Sequence, residues 1–146
     1  MNTEYKIITD ISYLRQPCEP VGLEEGMSLG RLLIEQLDIL KNGIGLSANQ
    51  IGIRKRVCVV NVKQPIILIN PEVVGAFEKV LFNEGCLSFE GDVIQTTRYR
   101  NVLIKSDTQG GILSFYGTSD VDLLESVCVQ HEIDHLNGIT MHDREA

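Results

Sequence analysis

No run in this 146-residue chain approaches the roughly 18 consecutive apolar residues that a membrane-spanning helix requires. The amino end, Met1 to Asp10, has Lys6 as its only cationic side chain and no signal-peptide h-region. The expectation is therefore a soluble, cytoplasmic protein with no membrane partner. Cations are also short: 13 Lys plus Arg stand against 20 Asp plus Glu, a formal charge of −7. A protein that tracks a phosphate backbone needs the opposite balance to displace counterions, so nucleic acid is excluded as a general partner. The four cysteines, Cys18, Cys58, Cys86 and Cys128, form no C-x-x-C pair. That removes zinc-ribbon and thioredoxin-like readings, and outside a secretory context a disulfide framework goes with them. Internal repeats, low-complexity tracts and linkers are missing, and the length suits one domain, residues 1–146.

Apolar residues make up 43% of the chain, enough for a packed core. Tyr5 to Gly26, punctuated by Pro17, Pro20, Gly22 and Gly26, reads as loop with one short helix. Leu29, Leu32, Leu33, Leu37 and Leu40 recur at helical spacing and predict an amphipathic helix over Ser28 to Lys41, ended by Asn42 and Gly43. Strands are predicted over Arg56–Val62, Ile66–Ile69, Glu78–Phe82, Val93–Tyr99, Val102–Ser106 and Ile112–Tyr116. The turn-rich Asp107 to Gly111 joins the last two as a hairpin. Ser119 with Asp122 resembles a capping box, and Asn137-Gly138 is a stop, so a second helix lies between them. The fold class is α+β: antiparallel strands packed around a C-terminal helix, with an N-terminal helix.

That second helix carries His131-Glu132-Ile133-Asp134-His135, an H-E-x-x-H pattern. Side chains four apart on an α-helix lie one above the other, about 40° apart around the axis, so both imidazoles can reach one divalent metal. Glu132 is one step round, able to touch a metal-bound water without being a ligand. Burying two of the chain's three histidines beside Leu124 and Val127 is costly without such a partner. A catalytic metal needs a third protein ligand and an open position. Only eleven residues follow His135, and His142 does not match metzincin spacing and reads as a surface residue. The best upstream candidate is Cys86 within Glu84-Gly85-Cys86-Leu87-Ser88, while Cys18, Cys58 and Cys128 read as small buried apolar residues. A third segment, Gly43 to Gln50, lacks the ending of a phosphate loop. It reads either as a helix terminator and loop, or as a backbone wall beside an extended peptide with the Gln50 amide facing a developing oxyanion.

Taken together, Gly43–Gln50, Glu84–Ser88 and His131–Gly138 resemble, in order, the G-x-G-L-A-A-x-Q, E-G-C-L-S and H-E-x-D-H-L-x-G motifs of the peptide deformylases. Ser47, where that family usually has Ala, is the one departure within the motifs. The resemblance implies a metal-dependent hydrolase of N-terminal processing in protein biosynthesis, releasing formate from N-formyl-methionyl peptides. It implies Cys86, His131 and His135 as metal ligands, and Glu132 as general base and acid for a metal-bound water. Gln50 and the Leu87 backbone N–H would hold the oxyanion. Ile44, Gly45, Leu46, Glu84, Gly85 and Val127 would contact substrate, Val127 lining the methionine pocket, and Arg98 would pair with Glu84. Fe²⁺ is the family's usual ion, with Zn²⁺, Ni²⁺ or Co²⁺ able to take its place. After Ser88, Phe89-Glu90-Gly91 replaces the Val-Pro or Ile-Pro of many bacterial members, so a different substrate rim is expected. The chain stops at Ala146 without the long C-terminal helix that many members dock on the ribosome, so a short form, virus-encoded or bacterial, is implied, and a monomer is expected. Two other readings stay open at this point: an H-E-x-x-H endopeptidase, and a non-enzymatic domain holding a structural metal.

Overall fold

The computed structural model describes residues 4–41 and 43–146. Three α-helices, α1 (Ile11–Leu14), α2 (Leu23–Leu40) and α3 (Asp120–Leu136), accompany six strands: β1 (Gly45–Ser47), β2 (Val57–Asn61), β3 (Pro65–Ile69), β4 (Glu72–Glu84), β5 (Ile94–Lys105) and β6 (Ile112–Tyr116). The strands form two antiparallel sheets, ordered β1-β2-β3 and β4-β5-β6. Helix α3 packs against strands of both sheets, and α2 covers the outer face of the first. No helix among the described residues is long and apolar enough to cross a membrane.

Strand β2 explains how one short segment serves two cores. Val57 and Val59 point toward α2, where they join Leu29, Leu33 and Leu37, whereas Cys58 and Val60 point toward α3, beside Val129, Ile133 and Leu136. A period of two with both faces covered gives the continuous apolar run seen in the sequence.

Helix α2 starts five residues before the expected Ser28. Gly22 is its N-cap, Glu24 and Glu25 occupy its first turn, and Gly26 is a buried helical position rather than punctuation. The helix lies so close to β3 that a Cβ at Gly30 would sit 2.4 Å from Ile67 Cγ2. At the other end the chain turns at Lys41, whose φ is 60°, and the predicted Asn42 stop lies outside the described residues. Gly30→Ala sets a helix-propensity gain of about 1 kcal/mol against an overpacking cost of about 1–3 kcal/mol. Because the clashing methyl is fixed at a β-branched carbon, the cost is expected to win. A urea-unfolding midpoint below wild type would register it.

Three strand boundaries also differ from expectation. Strand β4 runs from Glu72, far upstream of the expected Glu78, absorbing a register shift between Val73 and Gly75 and a positive φ of 67° at Glu78. The two strands expected over Val93–Tyr99 and Val102–Ser106 are one, because Asn101 pairs with Phe77 on one side and Tyr116 on the other. The α3 caps match the sequence reading: Ser119 accepts from the Asp122 N–H at 3.1 Å, and Gly138 adopts φ 75° just past the end.

Candidate active site

From Glu125 to Leu136 every residue of α3 is buried. The histidines at i and i+4 therefore face a protein interior, and their Nε2 atoms are 3.2 Å apart. Cys86 arrives from the other side, at the point where β4 ends and a short 3-10 turn (Leu87–Phe89) begins, with its Sγ 3.4 Å from His135 Nε2. The donor atoms of Cys86, His131 and His135 all fall within 4.8 Å of one another. Two facing imidazole nitrogens and a sulfur this close repel one another through their lone pairs unless a proton or cation lies between them, so the donor set fits a divalent ion.

The surroundings orient these donors. His131 Nδ1 donates to Glu84 Oε1 at 2.8 Å, which directs Nε2 toward the cluster. Glu84 is clamped in turn by the Arg98 guanidinium through Nε and through Nη2, the latter at 2.9 Å. The remaining Arg98 nitrogen reaches Asp134, which Arg144 also engages at 3.0 Å. This confirms the sequence-based Arg98–Glu84 pairing and adds two partners to it. The backbone carbonyl of His135 is held by Asn49 Nδ2 at 2.9 Å.

Ionisation follows from this packing. Burial would push the Glu84 carboxyl up, but hydrogen bonds from His131 and Arg98 and the Arg98 charge outweigh it and hold it at about 2. Burial, then the charges of His131 and Arg98, hold His135 well below the ordinary histidine value, so its ring is neutral. Burial opposes protonation of His131 too, yet the Cys86 sulfur and the Glu84 carboxylate carry it well above its usual value. Burial drives Glu132 up to about 7 against the pull of the His131 charge. The other three thiols are raised by burial, Cys18 to about 11, and remain protonated.

A cavity of about 500 Å³ opens beside the cluster. One wall is Gly43-Ile44-Gly45 with Gln50, a second is Phe82 to Leu87, and the floor is the α3 stripe Leu124, Val127, Cys128, His131 and Glu132. Glu132 is 4% exposed, and its Oε1 has no hydrogen-bond partner among the described residues. A buried carboxylate oxygen left open at a cavity wall is placed to handle a proton. Gly45 lets β1 pass directly over it: a Cβ there would lie 2.6 Å from Glu132 Oε2 and 2.7 Å from Cys128 Sγ. Gln50 accepts through Oε1 from the Ser47 N–H at 3.0 Å and the Ser47 hydroxyl at 3.1 Å. This leaves Nε2 as the end that faces Ser88 Oγ at 3.1 Å and Cys86 Sγ at 3.6 Å.

Most residues singled out from the sequence thus meet in one place. Leu46 is different: the residue is fully buried among Leu33, Leu37 and Val59 and does not line the cavity. His142 is a partly exposed surface residue, with Nε2 3.1 Å from Asp92 and its ring edge-on to Phe89 at 4.7 Å. Sequence reasoning missed Phe82, Asn83, Leu124 and Cys128 as lining residues, whereas Glu90 and Gly91 belong to the segment expected to alter the substrate rim. For Leu124 and Cys128 the signal was present in the helical stripe that carries the histidines.

A Cys-His-His cluster that could hold a divalent ion, beside a buried glutamate whose Oε1 has no partner among the described residues, has the donor set of a metal-dependent hydrolase. The family model described as polypeptide deformylase matches residues 5–146. The peptide deformylase of Heliobacterium modesticaldum is 42% identical over 135 residues, covering 90% of this chain and 86% of that protein. The Hydrogenovibrio crunogenus peptide deformylase is 36% identical over 132 residues, covering 86% and 75%. Among solved structures, the Thermotoga maritima peptide deformylase superimposes with a TM-score of 0.84 at 30% identity and covers 99% of both chains. The Synechococcus elongatus enzyme in complex with actinonin gives 0.85 at 28% identity, covering 100% of this chain and 84% of that one. The chain belongs to the polypeptide deformylase family. It is a metal-dependent hydrolase that removes the formyl group from N-formyl-methionyl peptides.

Proposed function

We propose that residues 1–146 form a single catalytic domain in which Cys86, His131 and His135 hold the metal and Glu132 moves the proton. The observation that carries the assignment is the convergence of three donor atoms within 4.8 Å beside the partnerless Glu132 Oε1. A divalent ion held by Cys86, His131 and His135 would supply Lewis acidity and lower the pKa of a bound water so that it could attack at neutral pH. Glu132 Oε1 takes the proton from that water and delivers it to the departing nitrogen, so that C–N cleavage yields formate and a free amine. Gln50 Nε2 and the Leu87 N–H donate to the developing oxyanion. Ile44 and Gly45 border the peptide on one side, Glu84 and Gly85 on the other, and Val127 takes the methionine side chain. Fe²⁺ is the proposed resident ion, with Zn²⁺, Ni²⁺ or Co²⁺ able to substitute, since thiolate and imidazole accept all four. The protein acts as a cytoplasmic monomer on newly synthesised chains. Ribosome docking is not part of the proposal.

The test is formate release from formyl-Met-Ala-Ser by protein loaded with Fe²⁺ or Ni²⁺ under reducing conditions. Turnover that a chelator abolishes and added metal restores supports the reading. Cleavage of casein with no formate release would move the chain to the endopeptidases. Replacing Cys86 by Ala is expected to weaken metal binding more than the roughly 10–100-fold that loss of an outer partner brings. Metal-to-protein ratios after dialysis would reveal this, and an unchanged ratio would remove the sulfur from the ligand set.

A further inference from the structure

We propose that Glu90 is a specificity residue that selects formyl-methionyl peptides with a basic side chain at the second or third position. The inference rests on the deformylase reading above and extends it along the peptide. Glu90 lines the active-site cavity and also a second one of about 270 Å³, whose walls are Ile7, Thr9, Leu40, Leu87 and Glu90. Leu87 and Glu90 therefore border both cavities, and a chain leaving the methionine pocket over Leu87 would pass the Glu90 carboxylate. Neither cavity is lined by Lys or Arg. Of the other acids at the first cavity, Glu84 is committed to Arg98 and His131, and Glu132 is buried against α3.

Glu90 is exposed, and among the described residues no hydrogen bond or ion pair engages its side chain. Its loop is nevertheless anchored. The Asp92 N–H donates to the Phe89 carbonyl at 3.1 Å, Gly91 turns at φ 88°, and both Asp92 and Phe89 contact His142. The neighbouring acid thus has a partner on the protein, while the Glu90 carboxylate is left open to whatever lies in the groove. A passing cation is attracted and a passing carboxylate repelled, and both effects enter the ratio of rates.

Exposed charge pairs typically change an equilibrium by factors of about 1.5–5, so attraction and repulsion together predict a Lys-over-Glu ratio of kcat/KM of roughly 5–20. The experiment compares formyl-Met-Lys-Ser with formyl-Met-Glu-Ser, and formyl-Met-Ala-Lys with formyl-Met-Ala-Glu, at low and high salt. Wild type is expected to prefer Lys at one of the two positions at least. Glu90→Gln should bring that ratio toward one, and Glu90→Lys should invert it. Glu24→Gln, which removes the same charge from the exposed first turn of α2, should leave the ratio as it is. A ratio indifferent to Glu90, or one that Glu24→Gln lowers equally, overturns the inference while the deformylase reading stands. No formate release from any peptide, including formyl-Met-Ala-Ser, overturns the reading beneath it and this inference with it.

Discussion

Replacing Glu132 by Gln is expected to leave a folded, metal-loaded protein whose kcat/KM for formate release has fallen by about 10²–10⁴, the contribution of a positioned acid–base group. The amide has the shape of the carboxylate but cannot accept a proton and return it. Packing gives the side chain little room to be replaced by a neighbour. Position 132 is 4% exposed, and β1 passes over it so closely that even a methyl on Gly45 would meet its Oε2 at 2.6 Å. The other carboxylate near the cluster, Glu84, is committed to Arg98, Thr96 and His131 and is held at about 2, too weak a base to substitute. Stability should not fall, because a neutral amide at a site whose burial opposes charge removes a desolvation cost. Formate assays, metal analysis and a melting curve on one preparation distinguish the outcomes. Turnover within ten-fold of wild type in a fully loaded protein would take the proton away from Glu132. Low turnover with low metal content would make the residue a determinant of metal binding.

How much of this was legible beforehand depends on the range of the information. Local signals carried far: the Ser119 cap, the Gly138 stop and the i, i+4 histidines placed the histidine-bearing helix correctly, because a helix is written in contacts between near neighbours. The Gln50 and Cys86 segments were legible as motifs, and their meeting across 36 residues is what the fold supplies. Positions that depend on what sits opposite were misread. Gly26 looks like loop punctuation until Ile69 is seen against it. Asn101 looks like a loop residue until it is paired on both sides. Leu46 shares a motif with substrate-wall residues but sits on a three-residue strand buried throughout, so its side chain joins the core under α2. Glu90 carried a local oddity, the departure after Ser88, but only the second cavity gives that oddity a direction.

Arg98→Leu is expected to cost about 3–5 kcal/mol of stability, the usual consequence of removing one partner from a buried ionic cluster. For a chain of this length that lowers the melting temperature by roughly 10–15 °C. The guanidinium is 3% exposed and holds Glu84 and Asp134 together, from β4 and α3, elements that have no other charged link among the described residues except through His131. Leucine fills the volume but leaves two carboxylates facing each other in a dry interior. Arg144 still neutralises Asp134 at 3.0 Å, and His131 still donates to Glu84, so the loss stays below that of two naked charges. A second variant separates charge from packing: Arg98→Lys keeps one positive charge but cannot fork between two acids, and should recover only part of the loss. Because Glu84 orients His131, both variants should also weaken metal retention, by about 10–100-fold for a disturbed outer partner. Chemical denaturation of metal-free and metal-loaded forms measures both effects, since a bound ion adds its own stabilisation to the folded state. If Arg98→Leu matched wild type within 1 kcal/mol in the metal-free form, the cluster would contribute no net stability, and its purpose would rest on the geometry of His131 alone.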